Sequence, residues 1–514
     1  MVMTGVDDRV FNSILWPDGR AVELRKEDPV CFVDLNIDQI IGSVVAPYKD
    51  YNLRPFFDTL AIDPDTVKYR QDIFRDLEKA DVFACMYDFS IKMRDVHRYI
   101  SGMDRLFEWQ RQGWILDAAL LYFGAMNDLA QRLAGAALNS DGLISLRNYV
   151  QKYVESESFR NKEDKANDIK KKLSAIRYEM SFGPSRVTVR KDKGRESYNG
   201  IIQEAFSKFR NGKKSAANKK RFSESSMNHV EAEVLALIAR LFPEEFGELS
   251  AFCENNSSFI DPVVEVVYRE IHFYLSYLEY ISAVKKAGLE FCLPEICTDH
   301  DIYCLNSFDL ALAHKALASS SKVVANDFQL SGGEKALVVT GPNNGGKTTF
   351  ARSFGQAFFL FALGLPIPGS KARLFVPDNI YTHFEKSEDP ENLMGKLEDD
   401  LVRMRKILYM ATNRSIIIVN EMLSSTTLKD AIQIGTEIIG LIMRKNVLCV
   451  YVTFLDEFAR LDGVVSMVSQ VDPSSPDIRT FKIRRTDPNG LAYAKAIAEK
   501  YDLTYEKIMR RISG

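Results

Sequence analysis

Apolar residues recur at three- and four-residue intervals along "YRQDIFRDLEKADVFACMYDFSIKMRDVHRYI", and the same spacing runs through most of residues 28–155. One face of each segment can then be buried while the other stays wet, which predicts long amphipathic helices. The spacing is interrupted from about residue 156, where the phrase "PSRVTVRK" sets Val187 and Val189 between polar neighbours and predicts one short strand. Helical spacing returns at Met227, in "EVLALIARLF" and "VVEVVYREIHFYLSYLEYISAVKKAG", and closes at Gly288. Helices leave, a polar tip intervenes and helices return, as in a long arm with a distinct end.

Beyond Asp299 the pattern changes to short apolar runs, "ALVVT", "SIIIVN" and "VLCVYVT", separated by helical stretches. Runs without alternation suit strands covered on both faces, as in a parallel sheet between helices. The predicted fold class is mixed: a long α-helical arm followed by an α/β nucleotide domain. The longest apolar run, "AFFLFALGLPIPG", is shorter than a bilayer span and is expected to be a buried helix. The closing stretch "NGLAYAKAIAEKYDLTYEKIMRRI" predicts two helices, packed on the end of that domain or against a partner.

Composition changes this picture in one place. The chain has 514 residues, 46% of them hydrophobic and 27% charged, an ordinary globular mixture with a formal net charge of -3. Between Arg160 and Arg221, however, 19 Lys and Arg face 7 Asp and Glu, so this segment carries +12 and the remainder -15. A basic tip in an acidic protein predicts contact with a polyanion, with Arg190, Lys191, Lys193, Lys213, Lys214, Lys219, Lys220 and Arg221 as the expected phosphate contacts. Seven cysteines without paired short spacings, and an N-terminus lacking a charged-then-apolar signal, predict a cytoplasmic setting with no membrane anchor. Cys292, Cys297, His300 and Cys304 fall close together, but without a C-x-x-C pair they are expected to be core or loop residues rather than zinc ligands.

The candidate chemistry lies in "FQLSGGEKALVVTGPNNGGKTTF", residues 328–350. Gly341-x-x-x-x-Gly346-Lys347-Thr348 follows a predicted strand and opens a predicted helix, the context a phosphate-binding Walker A loop requires. Small residues let backbone N–H groups turn inward around phosphates; Lys347 neutralises the β and γ charges and Thr348 offers a hydroxyl to Mg²⁺. The run SIIIV ends in Asn420 and Glu421, and Glu421 lies 74 residues beyond Lys347. Asn420 stands where an Asp would usually help hold the Mg²⁺ water shell, and Glu421 is the candidate general base for an attacking water. The expected ligands are therefore ATP and Mg²⁺. "LSGGE" has the wording of an ABC-ATPase signature, but it precedes the Walker A loop instead of following it, which disfavours a transporter ATPase.

In that order and with similar spacing, "VVANDFQL…TGPNNGGKTTF…SIIIVNEMLSSTTLKDA…CVYVTFLDEF" resembles the ATPase domain of the MutS family of DNA mismatch-repair and related proteins. The resemblance is good from residue 321 to about 510 and weaker upstream. It implies an ABC-like, MutS-type P-loop domain with Gly341, Pro342, Asn343, Asn344, Gly345, Gly346, Lys347, Thr348 and Thr349 as the nucleotide cradle, Asn326 against adenine, and Thr348 and Asn420 toward Mg²⁺. It makes "LSGGE" the turn of a β-hairpin, with Gly332 and Gly333 at its tip. The implied organisation is an N-terminal segment (1–27), a helical core and outgoing lever (28–155), a basic clamp-like tip (156–226), a returning lever (227–300) and an ATPase and dimerisation domain (301–514).

Four positions depart from the family pattern. Val323 stands where an aromatic stacks on adenine, Gly395 where a serine reaches the partner's γ-phosphate, Phe454 where a switch histidine lies, and Asn420 where Asp is usual. All four tune hydrolysis or base stacking, so ATP binding is expected with slow turnover. Thr426, Thr427 and Asp430 are retained where the family has an inter-subunit loop, which implies a homodimer. A mismatch-reading domain is not expected ahead of the lever, and Phe246-Gly-Glu248 reads as a chance match to its wedge motif. The expected function is an ATP-controlled clamp on branched or structured DNA, DNA being favoured over RNA. The alternative is an ATP-binding scaffold that hydrolyses little and docks protein partners, RNA or a ribosomal surface.

Overall fold

The computed structural model describes residues 11–17, 24, 29–183, 186–192, 227–256, 258–319, 321–385, 395–472, 479–488 and 505–513. The chain divides into two compact units, residues 1–79, 139–144 and 269–514, and residues 80–138 and 145–268. Helix and sheet are both present, the sheets mainly after residue 290.

In the first unit six strands form a sheet in the order Ile380–Phe384, Ile416–Asn420, Leu448–Val452, Ala336–Thr340, Val464–Val471 and Arg479–Arg485. Neighbours are parallel except for the final, antiparallel pair. The three apolar runs read from the sequence are consecutive central strands, and all five residues of each are buried. Alternate side chains of one such strand face opposite layers. Ile417 and Val419 pack with Met404, Ile407, Ile439 and Ile442 of the helices Lys396–Met410 and Leu428–Arg444. Ile418 faces the other way, onto the helix Lys347–Ala362, where a Cβ at Gly355 would lie only 2.7 Å from its Cδ1. The apolar run forms the end of that helix, with Phe358, Phe359, Leu360 and Phe361 wholly buried. No helix among the described residues is long and apolar enough to cross a membrane.

The hairpin expected at "LSGGE" is not formed. Gly332 and Gly333 do make a turn, at φ +60° and +96°. The strand before them, Asn326–Leu330, pairs instead with Ile302–Ser307 in a separate four-stranded sheet. The reason is a difference in burial: Asn326–Leu330 alternates buried and solvent-facing residues, whereas Ala336–Thr340 is apolar throughout and belongs in a sheet interior. Cys292, Cys297 and Cys304 fall on three different short strands, and the His300 ring packs on Phe375 with centroids 4.8 Å apart.

Buried polar groups tie distant segments into this unit. Asp76 accepts hydrogen bonds from Ser140 Oγ (2.6 Å) and from the backbone N–H groups of Asn139 and Ser140, which anchors residues 139–144. Glu270 accepts from Ser13 Oγ (2.8 Å) and Ile14 N (2.8 Å), while Arg70 donates to Leu15 O and Leu363 O and lies 4.2 Å from the Trp16 ring centroid. The short segment around Ser13 is thereby held by side chains from two helices.

The second unit is helical. Ala80–Ser101 and Glu108–Gly135 pack together and are bridged by Lys92 to Asp128 (2.8 Å) and Arg132 to Asp88 (2.7 Å). Ser156 caps Glu157–Ala175, which sets Phe159 edge-on to Phe123 at 5.2 Å. The predicted strand is Arg186–Lys191, and it pairs antiparallel with Tyr178–Gly183. The sequence signal for that partner strand is the alternation of Tyr178, Met180 and Phe182 with Glu179, Ser181 and Gly183. The returning helices are His229–Leu241, Pro243–Asn255 and the first residues of Pro262–Lys286, which from residue 269 counts with the first unit. Phe246 packs edge-on against Trp109 at 5.1 Å and Glu248 pairs with Lys172 at 2.7 Å, so the Phe-Gly-Glu triplet serves helix packing.

Candidate nucleotide site

The loop Gly341–Gly346 connects the buried strand Ala336–Thr340 to the helix Lys347–Ala362. Gly341, Asn344 and Gly346 have φ of +121°, +56° and +89°, values that curl the backbone into a tight concave turn and favour glycine or asparagine. Close packing adds a second constraint. A Cβ at Gly341 would lie 2.9 Å from Ser469 Cβ, and one at Gly345 would lie 2.3 Å from Ser469 Oγ and 3.0 Å from the Pro342 carbonyl. Ser469, fully buried on the adjacent strand, donates to the Gly345 carbonyl at 2.7 Å. The loop therefore ends on a helix N-terminus, whose free N–H groups favour an anion.

Lys347 is 4% exposed, and its Nζ donates to the carbonyls of Gly341 and Pro342 at 3.0 Å each. Burial lowers its pKa, the nearby Glu421 charge opposes that shift, and Arg479 reinforces it. The next residue faces the sheet: Thr348 Oγ1 donates to Asn420 Oδ1 at 2.9 Å. Thr349 sits half-buried on the same first helical turn. Asn420 ends its strand 8% exposed, and Glu421 follows in a left-handed conformation, φ +56°, with its N–H bonded to Val452 O at 3.0 Å. Lys347 and Thr348, and Asn420 and Glu421, far apart in the chain, are thus brought to the C-terminal ends of two parallel strands separated only by Leu448–Val452, where open α/β sheets bind ligands.

Asn326 is held within the fold. Its amide is engaged with the strand Arg479–Arg485, donating to Phe481 O (3.1 Å) and accepting from Ile483 N (2.8 Å). Asn326 therefore braces that strand. Val323 lies half-buried just upstream. Gly395 is the N-cap residue of Lys396–Met410 and supplies no side-chain cap. Thr427 caps Leu428–Arg444 by accepting from Asp430 N, and its hydroxyl meets Asp430 Oδ2 at 2.7 Å. Phe454, half exposed, places its ring centroid 4.2 Å from Lys347 Nζ.

Three residues at this site carried no motif. Ser469 is one. Arg479 donates to Asn343 O at 3.3 Å, and Phe481, with φ +56° and 48% exposure, sets its ring within 3.6 Å of a Cβ position on Gly346. All three come from strands far downstream, and only the sheet order brings them to the loop.

Of the expected phosphate contacts on the arm, Arg190 and Lys191 are exposed on the hairpin, Arg190 opposite Glu179 and Lys191 over the Phe242 ring at 4.8 Å. Lys193, Lys213, Lys214, Lys219, Lys220 and Arg221 lie outside the described residues, as do 489–504 of the predicted terminal helices. Tyr505–Ser513 is a helix.

Residues 337–487, which carry this loop, the strand ends and all three added residues, match the family model for MutS domain V. The chain is 24% identical over 262 residues to the DNA mismatch repair protein MutS of Clostridium kluyveri, covering 50% of this chain and 29% of that protein. It is 22% identical over 445 residues to the DNA mismatch repair protein MutS of Prochlorococcus marinus, covering 80% and 46%. To the Endonuclease MutS2 of Gemmatimonas aurantiaca it is 28% identical over 199 residues, 38% and 24% of the two chains. The chain thus spans less than half the length of these relatives. The shared domain V and the order of the loop, strand-end and capping residues within it lead to one assignment: residues 337–487 form a MutS domain V, and the chain is similar to MutS and MutS2 proteins.

Proposed function

We propose that the chain binds ATP in the cradle formed by residues 341–349 and hydrolyses it slowly, using the nucleotide to control how a homodimer holds DNA. The observation that carries this reading is the convergence at one helix N-terminus of a curled glycine loop, the buried Lys347 ammonium and the Thr348–Asn420 pair. A hydroxyl and an amide oxygen 2.9 Å apart are hard, neutral donors. They fit Mg²⁺ held largely through its water shell and the nucleotide's phosphates. When bound, the ion would neutralise phosphate charge. Lys347 would share that task, the loop N–H groups would orient the phosphates, and Glu421 would accept a proton from the attacking water.

The arm and its basic tip suit a phosphate backbone, and the names of the related proteins favour DNA over RNA. Branched or structured DNA is the proposed ligand. The test is ATP turnover by the full chain with and without branched duplex. Stimulation that is lost in Lys347→Ala and Glu421→Gln supports the reading, with Glu421→Gln retaining ATP affinity. A rate unaffected by either substitution or by DNA overturns it.

A second reading has its own observation. Asn420 contributes no charge, and Phe454 lies against Lys347 in place of a polar switch residue. An ATP-binding scaffold docking protein partners or RNA would bind nucleotide with no stimulation of turnover by DNA.

A further inference from the structure

The Lys347 ammonium has three N–H donors. Two are taken by the carbonyls of Gly341 and Pro342, each at 3.0 Å. The remaining approach is bounded by the face of Phe454, whose ring centroid is 4.2 Å from Nζ. A cation at this distance is attracted by the ring's electron-rich face, and more strongly when it is withdrawn from water, as Lys347 is at 4% exposure.

The ring is not there by loose chance of a mobile side chain. Phe454 leaves the strand Leu448–Val452 directly beside the strand that feeds the glycine loop, with Thr453 N bonded to Val339 O at 3.1 Å. Leu455 N then donates to Thr453 Oγ1 at 3.1 Å, which fixes the turn carrying the ring. Its other side is open: Phe454 is 51% exposed, leaving room to rotate away. The charges of Glu421 and Arg479 also act on the ammonium, one favouring and one opposing its protonated form.

We propose that Phe454 is a positioning residue that competes with a nucleotide's terminal phosphate for the Lys347 ammonium. The inference rests on the ATP-binding reading of the site. Lys347 cannot turn its third donor to a phosphate and keep the ring face, because one donor direction serves both. ATP binding therefore displaces the ring, and the lost cation–π contact is subtracted from the phosphate's gain. The site binds ATP more weakly than its loop alone would allow, and the swing of Phe454 accompanies nucleotide entry.

The experiment measures equilibrium binding of a fluorescent ATP analogue to the full chain carrying Phe454→Leu or Phe454→Tyr. Leucine keeps an apolar side chain but removes the ring face, so its affinity should rise roughly three- to tenfold. Tyrosine keeps the face and should stay at the wild-type value. Filling by bulk alone would give leucine and tyrosine similar affinities, and that result overturns the inference. Equal or weaker binding by Phe454→Leu than by wild type overturns it as well, while leaving the nucleotide reading intact. No binding by wild type or either variant removes the nucleotide reading and this inference with it.

Discussion

Ser469 braces Gly345 from the neighbouring strand: its hydroxyl donates to the Gly345 carbonyl across 2.7 Å, and the same oxygen fills the place where a Gly345 side chain would stand. Ser469→Val removes the bond and puts a methyl group where the loop has no room. A buried hydrogen bond contributes about 1 kcal/mol, and an orphaned partner costs more, so ATP affinity should fall at least about fivefold. Gly345→Ala should be worse, and part of its loss should be recovered in a Ser469→Gly background. Calorimetric titration of the single and double variants checks this. Additive losses would show that the two positions are not in conflict.

Thr348 donates to Asn420 across 2.9 Å, a neutral pair where a carboxylate is usual in the family. Asn420→Asp would place a charge beside the Mg²⁺ shell proposed for this site. A charge-assisted contact exceeds a neutral one by about 1 kcal/mol, which converts to roughly fivefold. Turnover should rise by that order and half-saturation in Mg²⁺ should move to lower concentration, as a Mg²⁺ titration of ATPase rate would record. An unchanged rate would shift the limitation to Phe454 or Gly395.

Glu270 should make the first unit less stable as pH rises. Burial raises its pKa from 4.5 to about 7, and the opposing hydrogen bonds from Ser13, Ile14 and Leu15 and the Arg70 charge do not cancel that shift. A raised folded-state pKa means the stabilising contribution is complete below about pH 4.5 and is lost as pH climbs through 7. The size is roughly 3 kcal/mol across that window. Urea midpoints measured from pH 5 to 8 should fall for wild type and stay flatter for Glu270→Gln. Asp76 acts in the opposite sense and in a lower window. Burial opposes its ionisation, but hydrogen bonds from Lys79, Ser140 and Asn139 outweigh it and hold its pKa below the usual value, so its contribution is lost in acid.

The basic tip makes a prediction about salt. If five of its cations meet duplex phosphates, log affinity should fall with log salt at a slope of roughly -4 to -5. Neutralising Lys213, Lys214, Lys219, Lys220 and Arg221 together should flatten the slope and weaken binding to all sequences alike, with ATP binding preserved. Filter binding between low and moderate salt measures it. Full affinity with an unchanged slope would leave these residues without a phosphate to meet.

Local periodicity determined a good deal of this protein. The helices flanking the basic segment, the three buried strands and the loop from Gly341 to Gly346 were all legible, because each is written in contiguous residues whose burial pattern has a period. Lys347, Thr348, Asn420 and Glu421 were legible for a related reason: two short motifs at strand ends must meet when their strands are neighbours or near neighbours in one sheet. Tertiary structure alone decided the rest. The strands flanking Gly332 and Gly333 read as one hairpin, yet Ala336–Thr340 is apolar on both faces and enters a different sheet from Asn326–Leu330. Asn326 kept its place in the motif, but its amide is taken by Phe481 and Ile483. Ser469 closes on Gly345 across 124 positions of sequence, and Phe454 reaches Lys347 from the end of another strand. Sequence spacing carries no trace of such contacts, since strand order and side-chain direction, not distance along the chain, determine which groups share a site.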